Sequence, residues 1–316
     1  MEREEIFESK KHLIKRIKKF TKDLSLTEEE LDVLGFIAYL QPINSKKLTE
    51  LLGFEASSCI SSLECKNLIM VACHHWDDDS ELYGTTKDFL TLAHLKSISC
   101  LPAPDGKIPR YSIEKRKEPN RTFLESIDIH GFKCFKNKTH INFSPELNAI
   151  IGPNKVGKSS ILKAIKWCFS KSKPEINDFF TGSEDIATMD FAEVKLTFSN
   201  GKKNEANFTI KRRIKKSRES KILEERFYND NRIDYSELDK RLDLNTLYKS
   251  FFLFDEIDLS IDDVNYPVFI DMLNHVKNEK QCIFVTRKKE TCKESDTMIG
   301  VTAENDGLPK IIEVKM

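Results

Sequence analysis

The sequence predicts an α/β domain with a mixed sheet, preceded by a smaller α+β domain. Three observations carry this prediction. Residues 147–169 read as a buried strand, a glycine turn and an amphipathic helix. Residues 25–102 read as three helices followed by a two-stranded hairpin. Between these stretches, residues 103–122 hold Pro104, Pro109 and Pro119 among Lys107, Arg110, Lys115, Arg116, Lys117 and Arg121, the composition of a basic linker.

The α/β prediction rests on Ala149-Ile150-Ile151-Gly152-Pro153-Asn154-Lys155-Val156-Gly157-Lys158-Ser159-Ser160, an apolar run that breaks into G-x-x-x-x-G-K-S. Glycines at Gly152 and Gly157 let successive backbone N–H groups wrap phosphate oxygens at a helix N-terminus. Leu147, Ala149, Ile150 and Ile151 supply the strand before the turn; Ile161, Leu162, Ile165, Cys168 and Phe169 fall on one face of the helix after it. That order is the context in which the motif is a P-loop, so the second domain is expected to be a P-loop NTPase. Gly152 through Ser160 are the expected nucleotide contacts: Lys158 reaches the β- and γ-phosphates of ATP, and the Ser159 hydroxyl ligates Mg²⁺.

A second apolar run, Phe251-Phe252-Leu253-Phe254, ends in Asp255-Glu256. Four buried residues closing on two acids have the form of a Walker B strand. Asp255 is then expected in the Mg²⁺ shell and Glu256 as the base that polarises the attacking water. Gln281-Cys-Ile-Phe-Val-Thr286 reads as the next core strand.

The chain as a whole excludes several classes. Its 316 residues allow about two domains. Lys+Arg and Asp+Glu both number 51, so nucleic-acid binding must come from local patches. No apolar run approaches the ~20 residues of a membrane span, and the charged start Met1-Glu2-Arg3-Glu4-Glu5 lacks the apolar core of a secretion signal. The eight cysteines are scattered singly, which suits reduced thiols, and the spacing of Cys65, Cys73, His74 and His75 fits no zinc pattern. An intracellular protein is expected, cytoplasmic or chromosome-associated, with an organelle left open and no membrane partner.

Taken in order, residues 1–24 form a basic amphipathic helix, with Leu13, Ile14 and Ile17 against Lys10, Lys11, Lys15, Arg16, Lys18 and Lys19. Thr27-Glu28-Glu29-Glu30 is a capping box opening a helix that stops at Gln41-Pro42. A second helix runs from Asn44-Ser45 to Gly53, a third from about Glu55 to Lys66, and strands at 68–71 and 81–83 close a winged helix over 25–102. Its third helix carries Glu55 and Glu64 against Lys66, and its wing tip carries Asp77, Asp78 and Asp79. Phosphate contact needs cations at those places, so this domain is expected to be a protein-binding or dimerising module rather than a DNA reader.

Leu31-Asp-Val-Leu-Gly-Phe-Ile-Ala-Tyr-Leu-Gln-Pro-Ile43, Leu82-Tyr-Gly-Thr-Thr-Lys-Asp-Phe-Leu90 and Leu95 to Pro102 resemble the second winged-helix half of segregation and condensation protein B. The resemblance implies a kleisin-type subunit as partner. Leu124-Glu-Ser-Ile-Asp-Ile-His-Gly-Phe-Lys-Cys-Phe135, followed by Asn148 to Asn154 and Gly157-Lys158-Ser159, resembles the N-terminal head lobe of SMC (structural maintenance of chromosomes) ATPases, as does Phe191 to Asn200. Ile257 to Asn265 resembles the D-loop region of that family, with Asp262 at the nucleotide-contacting position, and Ser295 to Thr302 resembles the end of its C-terminal lobe. The resemblance implies an ABC/SMC-type head over 123–316. Only Arg232 to Ser250 stands where that family has a long coiled coil and hinge.

Several family features are missing. There is no Gly-Gly pair to form an LSGGQ-like signature, and the only glutamines, Gln41 and Gln281, both lie outside the stretch from the P-loop to Asp255. Arg287 occupies the place that is often histidine, and Lys155 replaces a glycine in the loop. The expectation is therefore a chromosome condensation and segregation protein whose head binds ATP and Mg²⁺, with any hydrolysis requiring a complete SMC head that supplies the signature. An autonomous ATPase of the DNA-repair type and a nucleotide-independent scaffold are the alternatives. The dense basic run Lys202, Lys203, Lys211, Arg212, Arg213, Lys215, Lys216 and Arg218 reads either as a DNA-contacting surface of the head or as a solvated strand pair.

Overall fold

The computed structural model describes residues 3–20, 26–74, 80–103, 105–106, 121–180, 189–200, 207–217, 221–256, 261–304 and 307–315. The wing-tip aspartates 77–79, His75, the linker cations from Lys107 to Lys117, and Lys202, Lys203 and Arg218 lie outside them, as do the side chains of Cys73 and His74. Among the described residues no helix is long and apolar enough to cross a membrane. The chain forms two compact units, residues 1–116 with 257–276 and residues 117–256 with 277–316.

The first unit begins with α1 (Arg3–Phe20) and α2 (Glu28–Leu40), followed by β1 (Ile43–Asn44), α3 (Ser45–Leu52), α4 (Ser57–Cys65), β2 (Ile69–His74), β3 (Glu81–Thr85) and α5 (Lys87–Leu92). The three helices and the wing take the expected order. The expected capping box forms: Thr27 N–H donates to Glu30 Oε2 (2.8 Å) and Glu30 N–H donates to Thr27 Oγ1 (3.1 Å). Left-handed Gly53 (φ 79°) ends α3. The strands pair antiparallel in the order β1-β3-β2.

α2 is buried from Leu31 almost without a break to Tyr39. The reason is α1, which covers a second face with Leu13 and Ile17. Lys10 of α1 is itself buried. Its stem crosses α2 where Gly35 lacks a Cβ, its ammonium sits 4.2 Å from the centre of the Phe36 ring, and it donates to Asp32 (2.9 Å). Glu30, buried at the start of α2, accepts from Lys66 Nζ (2.6 Å) and Ser62 Oγ (2.5 Å) of the third-helix region. Burial opposes its charge, but these donors and the Thr27 N–H hold its carboxyl down at about 2.

The second unit contains β4 (Thr122–His130), β5 (Thr139–Asn142), β6 (Leu147–Ile151), α6 (Lys158–Phe169), β7 (Phe191–Asn200), β8 (Phe208–Lys216), β9 (Ile222–Tyr228), β10 (Asn231–Ile233), α7 (Tyr235–Leu242), α8 (Leu244–Lys249) and β11 (Phe251–Asp255). After α9 (Tyr266–Val276) come β12 (Gln281–Val285), α10 (Lys289–Lys293), β13 (Thr297–Ala303) and β14 (Pro309–Lys315). A six-stranded antiparallel sheet has the order β10-β9-β8-β7-β4-β5. A five-stranded sheet has the order β11-β12-β6-β13-β14, with its first four strands parallel and β14 antiparallel. The fold is that of a P-loop NTPase with a mixed sheet, joined to an N-terminal winged-helix domain.

α6 touches β7 and β8 of one sheet and β11 and β12 of the other. That double contact explains why Ile161, Leu162, Ala164, Ile165 and Cys168 are all fully buried. Gln281, at the start of β12, links the strands of the two sheets: its amide donates to the carbonyls of Leu124 (2.8 Å) and Ser144 (2.7 Å) and accepts from Leu124 N–H (2.8 Å). Two short helices, α7 and α8, occupy the interval from Arg232 to Ser250.

One expectation about domain extent needs correction. The head was expected to run without interruption from 123 to 316, but α9 packs into the first unit. It presents Val268, Phe269, Met272, Leu273 and Val276 as a buried stripe. Lys87 N–H donates to Asn265 Oδ1 (3.1 Å) and Ile98 N–H donates to Asp271 Oδ2 (2.5 Å), so polar and apolar contacts both hold it there. For the basic run, the sequence left a DNA-contacting surface and a solvated strand pair both open. Strand alternation turns Arg212 fully inward, and the cations on the other face meet carboxylates: Lys211 and Lys195 pair with Asp230 (3.0 and 3.2 Å), and Arg213 pairs with Glu193. Among the described residues of this run, Lys211, Arg212 and Arg213 are paired with carboxylates, and Lys215 is exposed.

Candidate functional site

Three adjacent parallel strands of the five-stranded sheet end together. Asp255 of β11 is level with Val285 of β12, and Val285 is level with Ile150 of β6. The residues just beyond therefore share one carboxyl edge, the place where open α/β sheets bind ligands. Gly152 to Gly157 follow β6, Glu256 follows β11, and Thr286-Arg287 follow β12. Thr286 N–H donates to the Ile150 carbonyl (3.1 Å) and Glu256 N–H to the Val285 carbonyl (2.9 Å), which fixes these exits against one another.

Both glycines of the loop are required by their surroundings. Gly152 has φ 146°, and a Cβ there would lie 2.0 Å from the Val301 carbonyl oxygen of β13. Gly157 has φ 106°, and its Cβ would meet Cys134 Sγ at 2.6 Å. Lys155 has φ 63°, a left-handed conformation that costs a side-chain-bearing residue about 1 kcal/mol. The sequence placed Lys155 where a glycine is usual, and the backbone has kept the glycine conformation. Pro153, Asn154 and Lys155 are exposed, whereas Val156 is buried as the anchor of the loop.

Lys158 opens α6 and is buried, and its ammonium donates to the carbonyls of Gly152 (2.9 Å) and Pro153 (2.6 Å). Burial pushes its pKa below the ordinary lysine value; Glu256 opposes this, Arg287 adds to it, and Asp255 opposes it. Ser159 and Ser160 occupy the first turn of α6 and are half-buried. Asp255 Oδ1 is buried without a hydrogen-bond partner among the described residues. An anionic oxygen left so at the mouth of a phosphate loop fits a site for a divalent cation.

Glu256 sits at φ 50°. Its carboxylate is gripped by Arg287: Nε donates to Oε1 (2.9 Å), and Nη2 donates to Oε1 (2.7 Å) and Oε2 (2.8 Å). The sequence showed Arg287 at an unusual place but not its partner; an arginine two residues past the strand neighbouring Asp255-Glu256 was the available signal. Asp262, expected at the nucleotide, belongs to the first unit, where its carboxylate accepts from Asn265 N–H (2.8 Å) and Asn265 Nδ2 (3.2 Å) ahead of α9. The structure therefore brings the P-loop, Asp255, Glu256 and Arg287 together within one unit and gives Asp262 a turn-closing role in the other.

Residues 123–250 match the RecF/RecN/SMC N terminal domain family, and residues 5–104 match the segregation and condensation complex subunit ScpB family. Chromosome partition protein Smc of Mesomycoplasma hyorhinis is 35% identical over 125 residues, which is 36% of this chain and 12% of that protein. The Bacillus subtilis protein of the same name is 31% identical over 112 residues, 32% of this chain and 9% of that protein. The chain thus spans about a tenth of the length of these relatives. The SMC head domain from Thermotoga maritima superposes with a TM-score of 0.51 at 22% identity, covering 61% of this chain and 99% of that one. The Smc head bound to the C-winged helix domain of ScpA does so with 0.51 at 17%, covering 61% and 98%. At these identities the likeness shows the fold. A matched ScpB segment, a matched SMC segment and a head-type fold around the P-loop identify the chain as a fusion of an ScpB-type winged-helix region with an SMC-type head.

Proposed function

We propose that this protein works in chromosome condensation and segregation as an ATP- and Mg²⁺-binding head fused to a kleisin-binding winged helix. The observation that carries the reading is the shared strand edge, where a P-loop and the orphaned Asp255 oxygen meet in a chain that also holds an ScpB-type segment. Gly152 to Ser160 would wrap the phosphates, with Lys158 exchanging its carbonyl partners for phosphate oxygens. Ser159 and Asp255 would hold Mg²⁺, which supplies charge neutralisation for the β- and γ-oxygens. Glu256 would accept a proton from water, and in this structure its carboxylate is engaged by Arg287. With no Gly-Gly pair in the chain, the signature contact would come from a complete SMC head.

A kleisin partner is supported by the ScpB-type segment and by the relative whose head is bound to a winged helix of ScpA. The third helix, Ser57–Cys65, carries no cation, and Lys211 and Arg213 of β8 are paired with carboxylates, which favours a protein partner over DNA. The test is Mg-ATP binding by the purified chain, with Lys158→Ala as control, followed by ATP-dependent association with a complete SMC head in analytical ultracentrifugation. Binding that Lys158→Ala abolishes, with association that rises with ATP, is expected. No nucleotide binding by the wild-type chain would overturn the reading and leave a scaffold.

A further inference from the structure

The chain leaves the second unit immediately after Glu256 and re-enters it at Lys277; residues 257–276 between them belong to the first unit. Both ends of this excursion are anchored in the second unit. Glu256 N–H donates to the Val285 carbonyl (2.9 Å), and the Lys277 carbonyl accepts from Arg121 Nη2 (2.8 Å). Glu256 turns the chain outward at φ 50°, a left-handed conformation that a residue with a side chain keeps only where its surroundings impose it.

Within the first unit the excursion is held by α9 and the turn before it. α9 has 11 residues, too few to be a stable helix in water, so its order comes from packing. Its buried stripe includes Met272, whose Sδ lies 3.5 Å from the place a Cβ would take at Gly84 of β3. Asn265 is buried; it closes the turn on Asp262 and its Oδ1 accepts from Lys87 N–H at the start of α5 (3.1 Å). Asp271 Oδ2 accepts from the N–H of Ile98 (2.5 Å), which opens the 3₁₀ turn Ile98–Cys100. Two side chains of the excursion thus meet backbone donors of the winged-helix unit, whose positions the main chain fixes.

We propose that Asn265 and Asp271 are positioning residues of the nucleotide site: by seating α9 in the winged-helix unit they fix the path of the chain out of β11, and with it Asp255 and Glu256. This rests on the nucleotide reading of the site. A released α9 is an unfolded stretch joined directly to Glu256. The two carboxylates then hold the ligand-competent arrangement in only a fraction of the molecules, and the apparent affinity falls by that fraction. Linkage makes the effect reciprocal, so a Mg-nucleotide that orders the end of β11 favours the seated α9. The loss falls on the Mg²⁺-dependent part of binding, because Asp255 would hold the cation whereas Gly152 to Lys158 hang from β6.

The experiment measures Kd for a non-hydrolysable ATP analogue by calorimetry on the full chain, in saturating Mg²⁺ and in EDTA, together with amide hydrogen exchange over residues 265–276. It compares the wild type with Asn265→Ala/Asp271→Ala, Asp271→Ala, Asp271→Asn and Glu30→Gln, the last weakening the first unit away from α9. The double variant is expected to exchange faster over α9 and to weaken the Mg-analogue about tenfold, with affinity in EDTA kept within about twofold, as when about a tenth of the molecules remain competent. Asp271→Ala alone is expected to cost about threefold, and it carries the test if the double variant fails to fold. Asp271→Asn keeps an oxygen for Ile98 N–H and is expected to bind as the wild type does, as is Glu30→Gln. In the wild type the Mg-analogue slows exchange over α9, and Lys158→Ala abolishes that slowing.

Faster exchange over α9 with an unchanged Mg-analogue Kd overturns the coupling and leaves the nucleotide site standing. Equal weakening in Mg²⁺ and in EDTA, or as large a loss in Glu30→Gln, overturns it too, since either reports general loss of structure. Unchanged exchange over α9 in the double variant shows that these two residues do not seat it. Absence of nucleotide binding by the wild type overturns the nucleotide reading and the coupling together.

Discussion

The two ends of helix α6 are built in opposite ways. At its N-terminus Gly157 stands in a left-handed conformation with no side-chain cap, behind a loop whose glycines are forced by Val301 and Cys134. At its C-terminus two buried arginines take up the carbonyls. Arg212 donates to Trp167 (2.8 Å) and Ser172 (2.7 Å), and Arg226 donates to Cys168 (3.0 Å) and Ser170 (2.6 Å). Arg212 also lies 4.3 Å from the centre of the Trp167 ring, and Glu224 Oε1 sits 2.9 and 2.8 Å from the two guanidinium groups. Cations suit the negative end of a helix, and here they are locked in place by burial. At one end of the helix the cations are buried on fixed partners; at the other, Lys158 holds loop carbonyls and the half-exposed Arg287 holds Glu256 at the open strand edge.

The contrast predicts how variants at the two ends differ. Arg212→Ala should cost about 3–5 kcal/mol, because it strips two carbonyls of their donor, takes one of the two guanidinium groups from Glu224 and empties a fully buried side-chain volume; urea unfolding of the head measures it. A loss below about 1 kcal/mol would mean that the C-terminal lock is dispensable. The Glu30–Lys66 pair of the first unit extends the comparison, being another buried pair with fixed partners. Its carboxyl is depressed from 4.5 to about 2, so its stabilisation is fully present above pH 4.5 and is lost as pH falls towards 2. The first unit should lose about 2–3 kcal/mol over that window, and Glu30→Gln should abolish most of the pH dependence; thermal unfolding monitored between pH 5 and 2 reads both.

Lys158→Ala should weaken Mg-ATP about a hundredfold, equivalent to about 2.7 kcal/mol, while shifting the unfolding midpoint little, because among the described residues the lysine donates to loop carbonyls alone. A large stability loss in that variant would erase the distinction between the two ends of α6. The smallest effect is expected for Lys155→Gly. Relief of the left-handed strain, about 1 kcal/mol, is nearly offset by the backbone freedom glycine loses on folding, so the melting temperature should hold and nucleotide affinity change less than about threefold.

Much of this molecule was legible in its residues because the relevant signals are local. The capping box at Thr27-Glu30, the left-handed stop at Gly53, the alternation of Phe191 to Asn200 and the strand–loop–helix around Gly152 are each set within a few residues, and each formed in the expected place. The P-loop, Asp255 and Glu256 were found the same way, and the parallel register of β11, β12 and β6 then set them at one edge. The sequence by itself thus determined the two domain types, the position of the glycine loop between β6 and α6 and the absence of a Gly-Gly pair. Tertiary structure alone decided which charges are available. Arg212 and Lys211 are neighbours in sequence, yet pleating buries one under α6 and pairs the other with Asp230. It also decided that α9 and Asp262 join the winged-helix unit and that Arg287 closes on Glu256, a residue 31 positions away. The physical reason is that pairing energy depends on distance and desolvation, and both are properties of where strands end rather than of which residues they contain.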